Sequence, residues 1–145
     1  PLHGVEYLIE AAELLKDIPD ITFLIAGKTA RYAEKITSAN AAGARITCLN
    51  WIDFTDVPRY INDSSVCIAG PLGGTVQSQY VVTGKTYQFL ASSALTLVGP
   101  NAATTIFEDK VNALVVPHAD ADALADCIRG AYEHKDKLPT SGAEG

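Results

Sequence analysis

Residues 65–74 have the sequence Ser-Val-Cys-Ile-Ala-Gly-Pro-Leu-Gly-Gly, an apolar run that passes directly into a glycine-rich loop. An apolar run without a polar face is typical of a parallel strand that is covered on both sides. The same order, an apolar run followed by a glycine, recurs at residues 21–27 and 95–99. The repetition predicts several parallel strands that end in similar turns.

Helical patterns separate these runs. Val5, Leu8 and Leu15 recur at helical spacing, which predicts a helix over residues 5–16. Asp56 and Asp120 are expected to cap two later helices. The other predicted elements are helices over 30–42, 57–61, 83–92, near 104–108 and after residue 120, and strands over 45–49 and 113–116. Because parallel strands need crossover helices, the alternation predicts an α/β fold, a Rossmann-like three-layer α/β/α sandwich with a mainly parallel sheet.

Composition narrows the class of protein. The chain has 145 residues, of which 48% are hydrophobic, enough for one ordinary core. We expect a soluble, cytoplasmic chain without a signal peptide or transmembrane segment. The net charge is -6 and the basic residues are scattered, which argues against nucleic-acid binding. A small phosphorylated ligand remains compatible with this charge, since a few local cations and backbone amides are sufficient to hold it.

The cysteines and histidines do not form a metal-binding pattern. Cys48, Cys67 and Cys127 have no CxxC spacing, and we expect all three to be buried thiols of a reducing compartment. The three histidines lie far apart in sequence, so a zinc site has little support. No metal is expected.

The loop over residues 70–74, called the glycine loop below, is the main candidate for binding chemistry. Gly73 and Gly74 would let backbone amides approach a ligand, and Lys85 adds a cation near the start of the next helix. This arrangement would suit a diphosphate. The alternative is a tight connection between strand and helix, in which the glycines only allow the backbone to turn and the lysine is solvated. Neither the GxxxxGK[ST] nor the GxGxxG fingerprint is present in this region.

Six short segments of the sequence occur in the same order as the motifs of a known protein family. They are residues 3–11, 23–27, 49–52, 85–91, 112–117 and 123–125. In this order they resemble the donor domain of the retaining, GT-B type glycosyltransferases, the group 1 family, over nearly the whole chain to about residue 132. The resemblance implies a domain that binds a nucleotide-sugar donor, such as a UDP- or GDP-sugar, which is a substrate rather than a cofactor.

The resemblance also implies roles for residues near the glycine loop. His3 stands where the family usually has a lysine that helps neutralise the donor diphosphate. Tyr80 stands where the family tends to have the first of two glutamates, and Gln88 stands at the position of the second, which binds donor hydroxyls. Gln88 still donates and accepts hydrogen bonds, but without the strength of a carboxylate. A helix-start residue without a ligand is the alternative for His3.

Other donor-binding residues are implied by the same resemblance. Gly27 and Lys28 would border the nucleotide, and Asn50 and Trp51 would lie beside the base. For Trp51 the alternative is an indole that packs on the sheet edge. Thr104, with its neighbour, would offer hydroxyls or amides to a phosphate, or would simply cap a helix.

The family places one further strand, in the middle of its sheet, just before the helix that here starts near residue 4. We therefore expect residues 1–134 to be a donor-binding domain that lacks this central strand, a fragment of a two-domain enzyme, and residues 135–145 to be a frayed tail. Another segment or a second copy of the chain would then fill the gap, or the sheet would be rearranged. Self-association through open edges is one such possibility.

The implied activity is sugar transfer from a nucleotide-sugar to an acceptor held by a separate N-terminal domain. This half would stabilise the departing diphosphate through Lys85, loop amides and His3. Two alternatives stay open. One is a nucleotide-sugar epimerase of the same architecture, which would need acid and base residues that the sequence does not reveal. The other is a non-catalytic nucleotide-binding or oligomerisation relative, which the residues at positions 3, 80 and 88 favour.

Overall fold

Helices and strands alternate along the chain, as the sequence predicts. The computed structural model describes residues 3–102, 107–109 and 112–134. Its elements are α1 (Val5–Leu14), β1 (Phe23–Ala26), α2 (Ala33–Ala41), β2 (Ile46–Leu49), α3 (Val57–Asp63), β3 (Cys67–Gly70), α4 (Gly84–Ala91), β4 (Thr96–Val98), β5 (Leu114–Val115) and α5 (Ala121–Glu133). Short 3-10 helices span Ala30–Tyr32, Phe54–Asp56 and Gln77–Gln79. The α/β fold class is confirmed.

The strands form two parallel sheets. β1 pairs with β2, with Phe23 opposite Ile46 and Ala26 opposite Leu49. The other sheet has the order β3-β4-β5 and is also parallel. Within the described ranges no ladder connects the two sheets. The strands are therefore parallel as predicted, and among the described residues they form two sheets rather than one continuous sheet.

One hydrophobic core serves both sheets. α1 packs against α5 and α2, and it buries Ile9, Ala12 and Leu15. The same cluster includes Phe23 and Ile46 from one sheet and, from the other, Leu97 and Leu114. Full burial of one such aliphatic side chain contributes about 1.5–3 kcal/mol. The shared core holds the two sheets together although no ladder joins them.

The two predicted helix caps have different outcomes. Asp120 has an extended backbone (φ -136°, ψ 91°), and its Oδ1 accepts a hydrogen bond from the Ala123 amide at 2.9 Å, which confirms the predicted cap. Asp56 makes no side-chain cap, so that prediction is wrong. Its backbone is already helical (φ -91°, ψ -15°) because a 3-10 helix runs into α3, and a cap residue needs an extended backbone.

The three cysteines differ in their exposure to solvent. Cys67 is buried, and burial raises the pKa of its thiol. Cys48 is exposed, and Cys127 is half-buried, so the prediction of three buried thiols fails for Cys48. Cys48 lies on β2, which among the described residues pairs only with β1, and its neighbour Thr47 is exposed as well. An apolar run predicts burial only where both faces of the sheet are covered.

No helix in the described ranges is both long and apolar enough to cross a bilayer. Among the same residues, no group of three or more histidine, cysteine, aspartate or glutamate side chains is arranged to hold a metal ion.

Candidate functional site

The glycine loop follows β3 and lies against the turn that precedes α1. The Leu72 amide donates to the His3 carbonyl oxygen at 3.3 Å. Gly4 has a left-handed backbone (φ 68°), and a Cβ at Gly4 would lie 2.6 Å from the Leu72 carbonyl carbon and 2.7 Å from the Gly73 nitrogen. Such distances leave no room for a side chain, so Gly4 is required for this close approach. The contact fixes His3 beside the loop.

The turn between β5 and α5 contacts the same loop from another side. The Ala119 amide donates to the Leu72 carbonyl oxygen at 2.8 Å. A Cβ at Gly74 would lie 3.0 Å from the Cβ of Ala119, which is tight packing. Both backbone groups of Leu72 are thus hydrogen-bonded, one to each neighbouring turn. These hydrogen bonds hold the loop in one position.

Two buried threonines attach the start of α4 to the end of β3. The Thr83 Oγ1 donates to the Ala69 carbonyl oxygen at 3.2 Å and is 3.0 Å from the Thr86 Oγ1. Because the Thr83 hydroxyl is used in this way, it makes no capping bond to the first turn of α4. The first amides of α4 therefore remain without a side-chain cap, beside Lys85.

The charge of Lys85 acts on His3. Burial, followed by the charge of Lys85, lowers the pKa of His3 below its usual value of 6.5. His3 is therefore mainly neutral at pH 7. Burial also lowers the pKa of Lys85, although its side chain is exposed to solvent on one side. Lys85 is thus close enough to His3 for its charge to act on the imidazole, and an anion bound between them would interact with both.

The structure brings part of the predicted site together. His3, Gly73 and Lys85 are grouped around the glycine loop by the contacts above, and Gly74 is exposed next to Ala119. Gln88 is exposed on α4, one helical turn after Lys85. Tyr80, at the end of a 3-10 helix, is 56% exposed.

A second group of predicted residues follows β1 and β2. Gly27 has a positive φ of 121° and donates its amide to the Leu49 carbonyl oxygen at 2.8 Å, so the ends of the two strands stay together. Lys28 and Asn50 are exposed. Trp51 is 78% exposed, and its indole nitrogen donates to Asp53 at 3.1 Å. The alternative in which this indole packs on the sheet edge is therefore wrong.

The predicted role of Thr104 stays a prediction, and one groove lies apart from the predicted site. Thr104 lies outside the described residues. A shallow groove between α1 and α2 is lined largely by glutamates, and none of the predicted donor-binding residues borders it; its lining is Glu6, Ile9, Glu10, Glu13, Glu34, Lys35 and Ser38. An acidic groove repels a phosphate group. The candidate site therefore lies in the loops that follow the carboxyl ends of the strands and not in this groove.

His118 is a residue of this region that the sequence analysis did not single out. Its Nε2 is buried and has no hydrogen-bond partner among the described residues. The ring lies against Gly99, where an added Cβ would be 2.5 Å from the Nε2. Burial lowers the pKa of His118, and a hydrogen bond from the ring to the backbone of Ser78 partly opposes this. The only signal in the sequence is its place directly after a predicted strand.

Comparison with known proteins identifies the family. The sequence pattern of the glycosyl transferases group 1 family matches residues 1–134. Among solved structures, the C-terminal domain of a glycosyl transferase group 1 family protein (LpcC) from Francisella tularensis has a TM-score of 0.78 at 19% identity, over 99% of this chain and 75% of that one. No curated protein matches the sequence significantly.

Two longer proteins share the fold over 99% of this chain. Sucrose-phosphate synthase from Thermosynechococcus elongatus has a TM-score of 0.74 at 22% identity. Anabaena Alr3699/HepE in complex with UDP has a TM-score of 0.72 at 16% identity. This chain spans only 36% and 40% of their respective lengths. The family match over residues 1–134, together with the shared fold, shows that the chain belongs to the group 1 glycosyltransferases.

Proposed function

We propose that this chain is the donor-binding domain of a glycosyltransferase and that it binds the diphosphate of a nucleotide-sugar beside the glycine loop. The observation that supports this most directly is the grouping of Lys85 and His3 at a loop whose backbone is fixed on two sides. The complete enzyme would transfer the sugar to an acceptor on a separate N-terminal domain. The nucleotide-sugar is the substrate, and we propose no cofactor or metal.

Electrostatics favour an anion at this position. The uncapped amides at the start of α4 carry partial positive charge, and Lys85 adds a full charge next to them. In the transfer reaction the bond between the sugar and the diphosphate breaks, so negative charge grows on the departing diphosphate. Donors that are in place beforehand stabilise this charge without reorganisation. Lys85 and the loop amides would act in this way, and His3, mainly neutral at pH 7, would add a hydrogen bond from its ring N–H; none of them would serve as nucleophile or base.

The nucleoside would extend toward the ends of β1 and β2. Gly27 and Lys28 would border the ribose, and Trp51 would cover the base with an indole face that is open to solvent. Asn50 would offer its amide to the edge of the base. The HepE neighbour holds UDP, which makes UDP the first nucleotide to test. The free cysteines suit a reducing, cytoplasmic setting.

Calorimetric titration of the protein with UDP, GDP and ADP tests the proposal. We expect saturable binding of one of them, and Lys85→Ala to weaken it about tenfold or more, which corresponds to at least ~1.4 kcal/mol. Gln88→Ala should weaken UDP-glucose or GDP-mannose more than the bare nucleotide. Lys35→Ala, an exposed lysine of the acidic groove, is the matched control. Equal effects of the two lysine changes would contradict a site at the glycine loop.

A second candidate is a relative that binds nucleotide but does not transfer sugar. Its support is the lowered pKa of His3, since a neutral imidazole stabilises a departing diphosphate less than a lysine would. Release of free nucleotide from a nucleotide-sugar by the complete protein, which includes the proposed acceptor domain, distinguishes the two when it is followed by chromatography. Release in the presence of acceptor supports the enzyme, and tight binding without release supports the non-catalytic relative.

A further inference from the structure

The turn that carries His118 joins the ends of three strands. The imidazole contacts Gly99, which follows β4, and hydrogen-bonds to the backbone of Ser78, in the segment after β3. Its neighbour Ala119 donates to the Leu72 carbonyl oxygen within the glycine loop. His118 itself follows β5. One short turn thus connects the proposed diphosphate loop to the ends of β4 and β5.

The burial of this imidazole has a cost in free energy of folding. Its Nε2 has lost contact with water and has no partner among the described residues, so the bond to Ser78 is made by the other ring nitrogen, Nδ1. A buried polar atom without a partner is rare in proteins and calls for an explanation. An apolar ring of similar size would fill the same space without this cost. The geometry therefore suggests that the Nδ1 hydrogen bond is the reason for a histidine here.

We propose that His118 is a positioning residue of the donor site. Its ring packs on Gly99, its Nδ1 holds Ser78, and together these contacts keep the segment over residues 71–80 in the position in which the loop amides bind the donor diphosphate. The inference rests on the proposed function of the glycine loop. His118 does not contact the ligand, since its Nε2 is buried. It acts by ordering the loop before the donor arrives.

Pre-ordering affects affinity in a defined way. If the loop is already fixed, binding of a diphosphate does not have to restrict it, and less conformational entropy is lost. Without the bond to Ser78, the 3-10 helix Gln77–Gln79 and the glycine loop would sample other positions. Part of the binding free energy would then be spent on ordering this segment, and the nucleotide would bind more weakly although every contact residue is still present.

Two substitutions separate the ring from its hydrogen bond. His118→Phe keeps a ring against Gly99 but removes the Nδ1 donor. His118→Asn places an amide donor near the position of Nδ1 but removes most of the ring. If His118 positions the loop, the phenylalanine variant stays folded, yet amide hydrogen exchange over residues 71–80 becomes at least about tenfold faster and the Kd for UDP rises about tenfold. In the asparagine variant, the exchange over residues 71–80 and the Kd for UDP should both return much of the way to the values of the unmodified protein.

The measurements are hydrogen exchange by mass spectrometry and calorimetry with UDP, on the unmodified protein and both variants. Unchanged exchange and unchanged Kd in His118→Phe would overturn the proposal, as would a loss of thermal stability without a change in Kd. If the unmodified protein binds none of the three nucleotides, the proposed function fails instead. Exchange over 71–80 in His118→Phe then still decides, independently, whether the histidine holds the loop.

Discussion

The three-stranded sheet ends in loops that the rest of the protein fixes, whereas the two-stranded sheet ends in residues that are largely exposed. After β3, the glycine loop is hydrogen-bonded through Leu72 to two neighbouring turns, and buried threonines hold α4 to the strand. After β2, Trp51 and Phe54 are 78% and 84% exposed. The two sheets share one core but offer very different surfaces to a ligand.

This difference suggests that the ends of the two sheets bind different parts of the donor. A fixed loop binds a group that every nucleotide-sugar contains, the diphosphate, with little loss of entropy. Exposed aromatic and amide groups contact the base, which differs between donors. We therefore expect substitutions around the glycine loop to lower both stability and nucleotide affinity, and substitutions at the ends of β1 and β2 to alter affinity alone. Four predictions, ordered by their effect on the free energy of unfolding, examine this contrast.

The largest effect is expected for Gly4→Ala. A left-handed backbone costs about 1–2 kcal/mol for a residue with a Cβ, and the new methyl group would lie 2.6 Å from the Leu72 backbone. Together we expect a loss of about 3 kcal/mol or more in the free energy of unfolding, measured by urea denaturation. UDP binding should also weaken, because the glycine loop must move away from His3.

Gly130→Ala is the control for this change. Gly130 lies inside α5, and a Cβ there would meet no atom within 4 Å. Alanine is the better helix former, so this variant should gain about 0.5–1 kcal/mol. If Gly4→Ala were as stable as Gly130→Ala, the close packing of the glycine loop against residues 3–4 would be disproved.

A smaller loss is expected for Thr83→Val. The change removes the hydroxyl that bonds to both Ala69 and Thr86, and it leaves buried polar groups unsatisfied, at a cost of about 2 kcal/mol. Thr47→Val on β2 is the matched change in the other sheet, where the side chain is exposed. It should stay within about 0.5 kcal/mol of the unmodified protein by urea denaturation. Equal losses of stability in Thr83→Val and Thr47→Val would show that the two sheets do not differ in this way.

The third effect depends on pH and concerns His118. Burial lowers its pKa in the folded state, and the contacts described above, with Gly99 and Ser78, are uncharged. A lowered folded-state pKa contributes stability that is complete above the unfolded value of 6.5 and is lost as pH falls through the folded-state value. As the pH falls from 7.5 to 5, we therefore expect this group to lower the free energy of unfolding.

Urea denaturation at several pH values checks this prediction. His118→Phe should remove part of the loss at low pH, and the remainder should include His3, whose pKa is lowered as well. The residual dependence should therefore shrink further in the double variant with His3→Gln. A stability that rises as the pH falls from 7.5 to 5 would show that the folded state favours the protonated imidazole, contrary to its burial.

The sequence predicted those features that depend on local patterns. The apolar runs followed by glycines correspond to β1, β3 and β4, and the cap at Asp120 is formed by a single residue and the amide three positions later. The prediction failed at Asp56, where the preceding 3-10 helix changes the backbone, and at Cys48, where exposure depends on what covers the sheet. Both are decided by parts of the structure outside the local pattern.

The candidate site shows the same limit. The glycines and Lys85 were predicted from a local pattern, a glycine loop followed by a cation near a helix start, and His3 was predicted because the sequence resembles a family whose motifs include this position. His118 has no local pattern, because its neighbours Gly99 and Ser78 are separated from it by 19 and 40 residues in sequence. The buried hydroxyls of Thr83 and Thr86 were likewise not predicted as a link to β3. Contacts of this kind arise only when three strand ends meet in space.

The smallest effect on stability, and the most selective effect on binding, is expected for Trp51→Ala. The indole is 78% exposed, so its removal should change the free energy of unfolding by less than about 0.5 kcal/mol. Stacking of a base on an aromatic ring contributes about 1–3 kcal/mol, so UDP should bind roughly tenfold more weakly while inorganic pyrophosphate binds as before. Phe54→Ala, at an equally exposed aromatic, is the control. If Trp51→Ala weakened pyrophosphate as much as UDP, the end of β2 would contribute to the fixed diphosphate site, and the proposed separation between the two sheets would not hold.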